Sequence, residues 1–184
     1  MLIIEGPDGV GKTTLARKLL VGLPTHVYAH FTRLPSGFDY YWGYRERASR
    51  SVVQDRFHMS EVAYAVARGE PSRLDAETYR LVDGHLRGLG AVTVLLTAGP
   101  DLVRSRWDDG QMYDLGRTLA AAEVYEVIAG GGDAGVGPVD LDVVIQLSGG
   151  KPYATDDDAR AVLELYRRRQ VVVDDVGRRR PVRL

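Results

Sequence analysis

Apolar and polar positions alternate along the chain in blocks whose lengths and periods separate strands from helices. Leu2–Ile4 is a short apolar run that reads as a buried parallel strand, and after a glycine-rich turn Leu15, Ala16, Leu19 and Leu20 recur at helical spacing. His26–Phe31 carries β-prone residues and predicts a second strand, running into a Pro- and Gly-bearing loop over 32–37. Ser51–Gln54 predicts a third strand. Met59, Val62, Ala63 and Val66 then form a helical stripe that stops near Gly69 and Pro71. Leu74–Leu89 predicts a helix with Leu74, Leu81, Val82 and Leu86 on one side. Ala91–Ala98 is almost wholly apolar, the mark of a central parallel strand covered on both faces. A helix should open at Gly99-Pro100-Asp101 and run through Trp107, and helical spacing resumes over Leu119–Ile128. Ala129–Pro138 is glycine-rich and reads as a mobile surface loop, Asp142–Leu147 as a last strand. Thr155 with Asp158 approximates a capping box for a helix to about Arg168. Strands alternating with helices predict an α/β fold of three layers, a parallel central sheet flanked by helices. The domain should span 1–170, and 171–184 is an extension in which a hairpin is expected about Asp175-Val176-Gly177.

The turn between the first strand and helix carries the chemistry. Gly6 to Thr13 fit G-x-x-x-x-G-K-[ST], the P-loop, in its required context of strand, loop and helix. Gly6, Gly9 and Gly11 let backbone N–H groups turn inward around phosphate oxygens. Asp8, Val10 and Thr14 complete the loop, and the helix N-terminus adds partial positive charge. Lys12 reaches the outer phosphates and the Thr13 hydroxyl can ligate Mg²⁺. A nucleoside triphosphate is the expected ligand.

Composition narrows the class. The 184 residues suit one domain with a sizeable core. A formal net charge of -1 gives no support for broad attachment to nucleic acid or anionic membrane. Cysteine is absent, which excludes disulfides, thiolate zinc sites and cysteine nucleophiles. No apolar run approaches membrane-spanning length and the chain starts directly with strand and loop, so a soluble, cytoplasmic protein is expected.

Asp39–Ser49 mixes aromatic and basic residues: Tyr40, Tyr41, Trp42, Tyr44, Arg45, Arg47. Such a stretch stacks a base and holds an anion, or it is a helix with aromatics packed inward and arginines in water. Asp55-Arg56 closes the third strand. His58 beside it reads as a surface histidine on a helix's first turn, and the arginines at 167–169 as complements to a helix C-terminus.

Three motifs together resemble thymidylate kinase, within the nucleoside monophosphate kinases. Glu5–Thr13 match that family's E-G-x-D-G-x-G-K-[ST]; residues 32–37 approximate its T-R-E-P-G-G. Asp55-Arg56-Phe57, Ser60, Ala63 and Tyr64 meet its D-R-Y-x-x-S-x-x-A-Y-Q. Leu34, Ser36, Phe57 and Ala65 depart from it, and the family's base-reading arginine helix has no counterpart except 39–49, so the base is left open. The resemblance implies ATP-dependent, Mg²⁺-assisted phosphorylation of a deoxynucleoside 5′-monophosphate, dTMP or a related one, in a protein of a group often dimeric. Arg56 would bridge donor and acceptor phosphates; Asp8 would meet the acceptor's 3′-hydroxyl or the metal shell. Arg33 would hold the acceptor phosphate, and Tyr64 would pack near the sugar. Arg45 falls in the segment left for the base. Arg104 and Arg106 would belong to a lid over ATP near 104–117, with Arg117 a third candidate, and 149–152 would correspond to the adenine loop.

Asp55 carries two readings. With a phosphate acceptor, already ionised at neutral pH, it would organise Mg²⁺ with Thr13; with a hydroxyl acceptor, on a nucleoside or modified base, it would be the general base. A nonkinase P-loop ATPase is the further rival. A GTPase switch would need N-K-x-D, and the chain contains no asparagine.

Overall fold

The computed structural model describes residues 1–35, 37–108, 113–151 and 153–178, with backbone alone over 172–178. Its centre is a parallel sheet of β1 (Leu2–Glu5), β2 (Val27–His30), β3 (Val52–Asp55), β4 (Val92–Ala98) and β5 (Val143–Leu147), in the order β2-β3-β1-β4-β5. Helices α1 (Lys12–Val21), α2 (Tyr40–Arg47), α3 (His58–Ala67), α4 (Ala76–Gly88), α5 (Pro100–Arg106), α6 (Leu115–Ala129) and α7 (Asp156–Arg178) flank it. This is the three-layer arrangement the strand–helix alternation predicts.

Side chains alternate across the strands, so each strand feeds two cores. Leu2 and Ile4 of β1, with Val92, Val94 and Leu96 of β4, pack against Leu15 and Leu19 of α1 and Val162 and Tyr166 of α7. Met1 and Ile3 face the other way, toward Phe31, Tyr44, Phe57, Val82 and Leu86. Leu95 joins Met59, Ala63, Tyr125 and Ile128 where α3 meets α6. All seven residues of β4 are buried, as expected of a strand covered on both faces.

Caps set several helix starts. The Asp39, Asp75 and Asp114 carboxylates accept from the backbone N–H groups of Trp42, Thr78 and Arg117, three residues on. The capping box is formed: Asp158 N–H donates to Thr155 Oγ1 at 3.1 Å, while Thr155 N–H donates to Asp158 Oδ2 at 2.7 Å.

Several expectations are corrected. The buried stripe of α4 is Tyr79, Val82 and Leu86; Leu81 is exposed, because neighbours 81 and 82 point about 100° apart on a helix. Val66 likewise faces out. His58 is fully buried, ringed by Tyr44, Phe57 and Tyr79, with Nε2 at 3.5 Å from Asp83. α7 runs through the expected hairpin to Arg178, so the arginines at 167–169 lie inside it and not at its end. Tertiary ties explain this: Arg169 pairs with Asp142 at 2.6 Å and donates to Ala91 O, Gln170 donates to Gly90 O, and Arg167 to Gly22 O. The glycine-rich loop after α6 is anchored, with Val136 buried and the Asp133 carboxylate accepting from Gly135 and Gly137 N–H.

Candidate active site

The carboxyl ends of β1, β3 and β4 converge beside the N-terminus of α1, where open parallel sheets bind ligands. Gly6 leaves β1 at φ 140°, and a Cβ there would sit 2.4 Å from Leu96 O, so the loop can start only with glycine. Gly9 and Gly11 also have positive φ, 78° and 89°, which turns the loop back into α1. Val10 points into the core and contributes backbone alone. Asp8, Gly9, Gly11, Lys12, Thr13 and Thr14 line a cavity of about 360 Å³ together with His30, Asp55, Arg56 and Arg106.

Lys12 is buried and its ammonium donates to Pro7 O at 2.6 Å. Burial pushes its pKa down, against the opposing charges of Asp55 and Glu5. The Thr13 hydroxyl donates to Asp55 Oδ2 at 3.0 Å, and Tyr28 on β2 donates to the same oxygen at 2.8 Å. Asp55 Oδ1 has no hydrogen-bond partner among the described residues. Thr13 and Asp55 are hard oxygen donors of the kind Mg²⁺ takes together with phosphates and water, so they fit the metal expected here. Among the described residues no cluster of three acidic, His or Cys side chains offers a denser metal cage.

Arg56 follows β3 with φ 63°, and its N–H donates to Ile4 O at 2.9 Å, holding the turn against β1. Its guanidinium pairs with the Asp8 carboxylate, lies 5.0 Å from the Tyr64 ring centroid, and leaves Nε without a partner among the described residues. Glu5, fully buried, fixes the start of the next helix. It accepts from Phe57 N–H at 2.9 Å, Met59 N–H at 3.2 Å and Ser60 Oγ at 2.5 Å, so a carboxylate from β1 caps α3. Burial raises its pKa, with His58, the Ser60 hydroxyl and Lys12 pulling the other way.

Beyond Arg56 lies a second, tighter pocket of about 30 Å³, reached from Thr32, Arg33, Glu61, Tyr64, Arg68 and Tyr113. Arg33 pairs with Glu70 at 3.1 Å and approaches Glu61 at 3.9 Å. Tyr64 stacks on Tyr113, with centroids 4.6 Å apart, and burial pushes its hydroxyl up to about 12. Arg56 is the side chain common to both pockets.

The expected residues thus divide. Asp8, Lys12, Thr13, Thr14, Asp55, Arg56 and Arg106 meet at the first cavity; Arg33, Arg56 and Tyr64 at the second. Arg106 also lies over the Tyr153 ring at 4.1 Å, and both side chains line the first cavity. Arg45 is not brought to either: it sits on the outer face of α2 over Trp42, while Tyr40 and Tyr44 pack inward. Arg104 is exposed beside Asp101, and Arg117 beside Asp114. Leu34 is buried in the core that holds Phe31, Tyr44 and Phe57. Gly149 and Gly150 turn between Ser148 and Lys151. Ser36, the centre of the expected lid at 109–112, and Pro152 lie outside the described residues. Sequence reasoning passed over Tyr28, Glu61, Arg68, Tyr113 and Tyr153, none of which stands in a motif with a fixed chemical role.

No known family model matches the chain, and no curated protein sequence does. Solved structures do. The YorR protein from Bacillus subtilis, described in complex with phosphorylated GDP, superposes with a TM-score of 0.69 at 24% identity, over 92% of this chain and 97% of that one. Thymidylate kinase from Candida albicans superposes with a TM-score of 0.53 at 16% identity, over 93% of this chain and 91% of that one. These likenesses carry the fold alone, a parallel sheet flanked by helices in three layers.

Proposed function

We propose that the protein transfers the γ-phosphoryl group of ATP to the 5′-phosphate of a deoxynucleoside monophosphate, dTMP or a related one. The observation that carries this reading is Arg56, buried on a strand end and shared by the phosphate-loop cavity and the pocket beside it. Transfer between two phosphates requires cations where the anions repel, and it gains most from positioning and charge neutralisation. Arg56's planar fork suits bidentate contact with both groups. An acceptor phosphate oxygen attacks Pγ; the bond from Pγ to the bridging oxygen breaks, and ADP leaves.

Lys12 and the loop N–H groups hold the donor's phosphates. Thr13 and Asp55 would hold Mg²⁺, which when bound neutralises charge on the donor's outer phosphates. Asp8 orients Arg56, and Arg33 holds the acceptor at the second pocket. A phosphate acceptor is favoured over a hydroxyl by where Asp55 lies. It lines the first cavity, bound to Thr13 and Tyr28, and is not among the residues of the second, so it does not face an acceptor hydroxyl there. The YorR complex adds guanine nucleotides to the candidates.

The test is a coupled ADP-release assay with ATP and a panel of deoxynucleoside monophosphates, thymidine and hydroxymethylated pyrimidines. Monophosphates should be turned over and nucleosides should not, and Lys12→Ala should abolish transfer. Turnover of nucleosides alone, or ATP hydrolysis indifferent to every acceptor, would remove this reading.

A further inference from the structure

The second pocket holds two charged side chains that each keep one unsatisfied atom, although Arg68 Nε also donates to Glu70 at 2.9 Å and Arg73 lies near Glu61. Glu61 and Arg68, about two turns apart on and just after α3, expose 4% and 7% of their side chains. Glu61 Oε1 and Arg68 Nη2 each lack a hydrogen-bond partner among the described residues and stand 3.9 Å apart, too far to satisfy one another. Glu61 Oε2 lies 3.9 Å from Arg33 Nε, again beyond hydrogen-bond reach. Buried polar groups left in this state are costly, and a ligand that pairs them gains what the empty pocket forfeits.

The same pocket already stacks a flat ring. Tyr113 lies on Tyr64 at 4.6 Å with planes 20° apart, and its hydroxyl oxygen accepts from Arg68 Nη1 at 3.4 Å. Trp107 Nε1 holds the backbone carbonyl of Tyr113 at 3.2 Å. The remaining space of about 30 Å³ has room for a water and none for a base.

From this we infer that Tyr113 occupies the place of the acceptor's base, and that the base which displaces it is guanine, read by Glu61 and Arg68. This rests on the phosphoryl-transfer reading above and deepens it. Once Tyr113 lifts away, a ring carbonyl takes the position of its hydroxyl at Arg68, and the neighbouring ring N–H meets Glu61. A carboxylate only accepts, so both of its oxygens are used when two adjacent donors face it. Guanine supplies a carbonyl, a ring N–H and an exocyclic amino group in that order along one edge. Thymine has a single N–H between two carbonyls, and its second carbonyl would face Glu61 Oε2. Cytosine and adenine offer an amino group beside a bare ring nitrogen, which leaves one carboxylate oxygen unpaired or opposed by a lone pair. The pocket therefore selects by what it repels as much as by what it binds.

The experiment compares dGMP, dTMP, dCMP and dAMP as acceptors, in turnover and in calorimetric titration, for the native chain, Glu61→Gln and Tyr113→Ala, each checked by thermal melting. The native chain should favour dGMP by about 100-fold in kcat/KM, the scale of one lost charged hydrogen-bond pair. Glu61→Gln should erase most of that preference and leave the KM for ATP within about threefold. Tyr113→Ala should lower the KM for dGMP and preserve the order of bases. Preference for another monophosphate, or an unchanged order in Glu61→Gln, overturns the base assignment while phosphoryl transfer stands. An unchanged or raised KM in Tyr113→Ala overturns the displacement. Tight, Glu61-dependent binding of dGMP without any turnover supports the base site and overturns the transfer reading; no binding of any monophosphate overturns both.

Discussion

Replacing Arg56 by alanine and, separately, by glycine separates its chemistry from its backbone. Arg56 has φ 63°, a left-handed conformation that strains a side-chain-bearing residue by about 1–2 kcal/mol. Glycine escapes that strain but gives the unfolded chain additional freedom, about 0.5–1 kcal/mol. The difference leaves Arg56→Gly more stable than Arg56→Ala by up to about 1.5 kcal/mol, or up to about 3–6 °C in a domain of this size. Both variants lose the guanidinium between the two pockets, and both leave the Asp8 carboxylate without its partner. If Arg56 neutralises charge in the transition state, kcat should fall by about 10³–10⁵, equivalent to about 4–7 kcal/mol. On the same reading affinity for ATP rests on Lys12 and the loop N–H groups, so the KM for ATP should hold within about threefold. Calorimetric melting and the coupled assay read the two effects independently. Full turnover in either variant would refute the bridging role. Arg56→Ala melting above Arg56→Gly would refute backbone strain at this turn.

The geometry dictates three further outcomes. Gly6→Ala should abolish ATP binding or folding, since the added methyl meets Leu96 O at 2.4 Å; fluorescent-ATP titration and circular dichroism check it, and a folded variant with native affinity contradicts the close approach. Thr155→Ala should cost about 1 kcal/mol by dismantling the capping box, a Tm lowered by about 2–4 °C with kcat unchanged. Burial raises the pKa of Glu61 despite Arg33, Arg68 and Arg73, so the folded state binds its proton more readily than the unfolded chain. Its contribution to stability should therefore fall as pH rises from the ordinary carboxylate range through the raised value. Its pairing with an N–H-bearing base should weaken as pH falls through that same value, visible as a rising acceptor KM that Glu61→Gln does not show.

What could be read from residues alone depended on how local the cause is. The phosphate loop, the β4 run and the Thr155–Asp158 box are each specified within a few residues, and each stands in the structure where its pattern put it. Periodicity puts Leu81 beside Val82 on the stripe, but it fixes a helical face only loosely, and packing against His58 buries Tyr79 there and leaves Leu81 exposed. The end of α7 was missed because Val171–Val173 favour strands locally, whereas Arg169 and Gln170 tie the helix to distant carbonyls. Arg45 shares its composition with a binding segment, but α2 turns Tyr40 and Tyr44 inward and leaves the arginine over Trp42. Glu61 and Tyr113 were illegible for another reason: their meaning lies in being brought together across the fold, 52 positions apart in the chain, at one pocket.

The two-faced packing of β1 has an evolutionary consequence. Leu2 and Ile4 belong to the core beneath the phosphate loop, Met1 and Ile3 to the one beneath the second pocket, and substitutions in groups that share no contacts combine almost additively. On the proposed reading, one recipient molecule can therefore be traded for another by altering residues on a single side of the sheet, while the residues around the phosphate loop stay as they are. Glu5 is where that independence ends: planted in the same strand yet capping α3, it obliges both halves to change together or not at all.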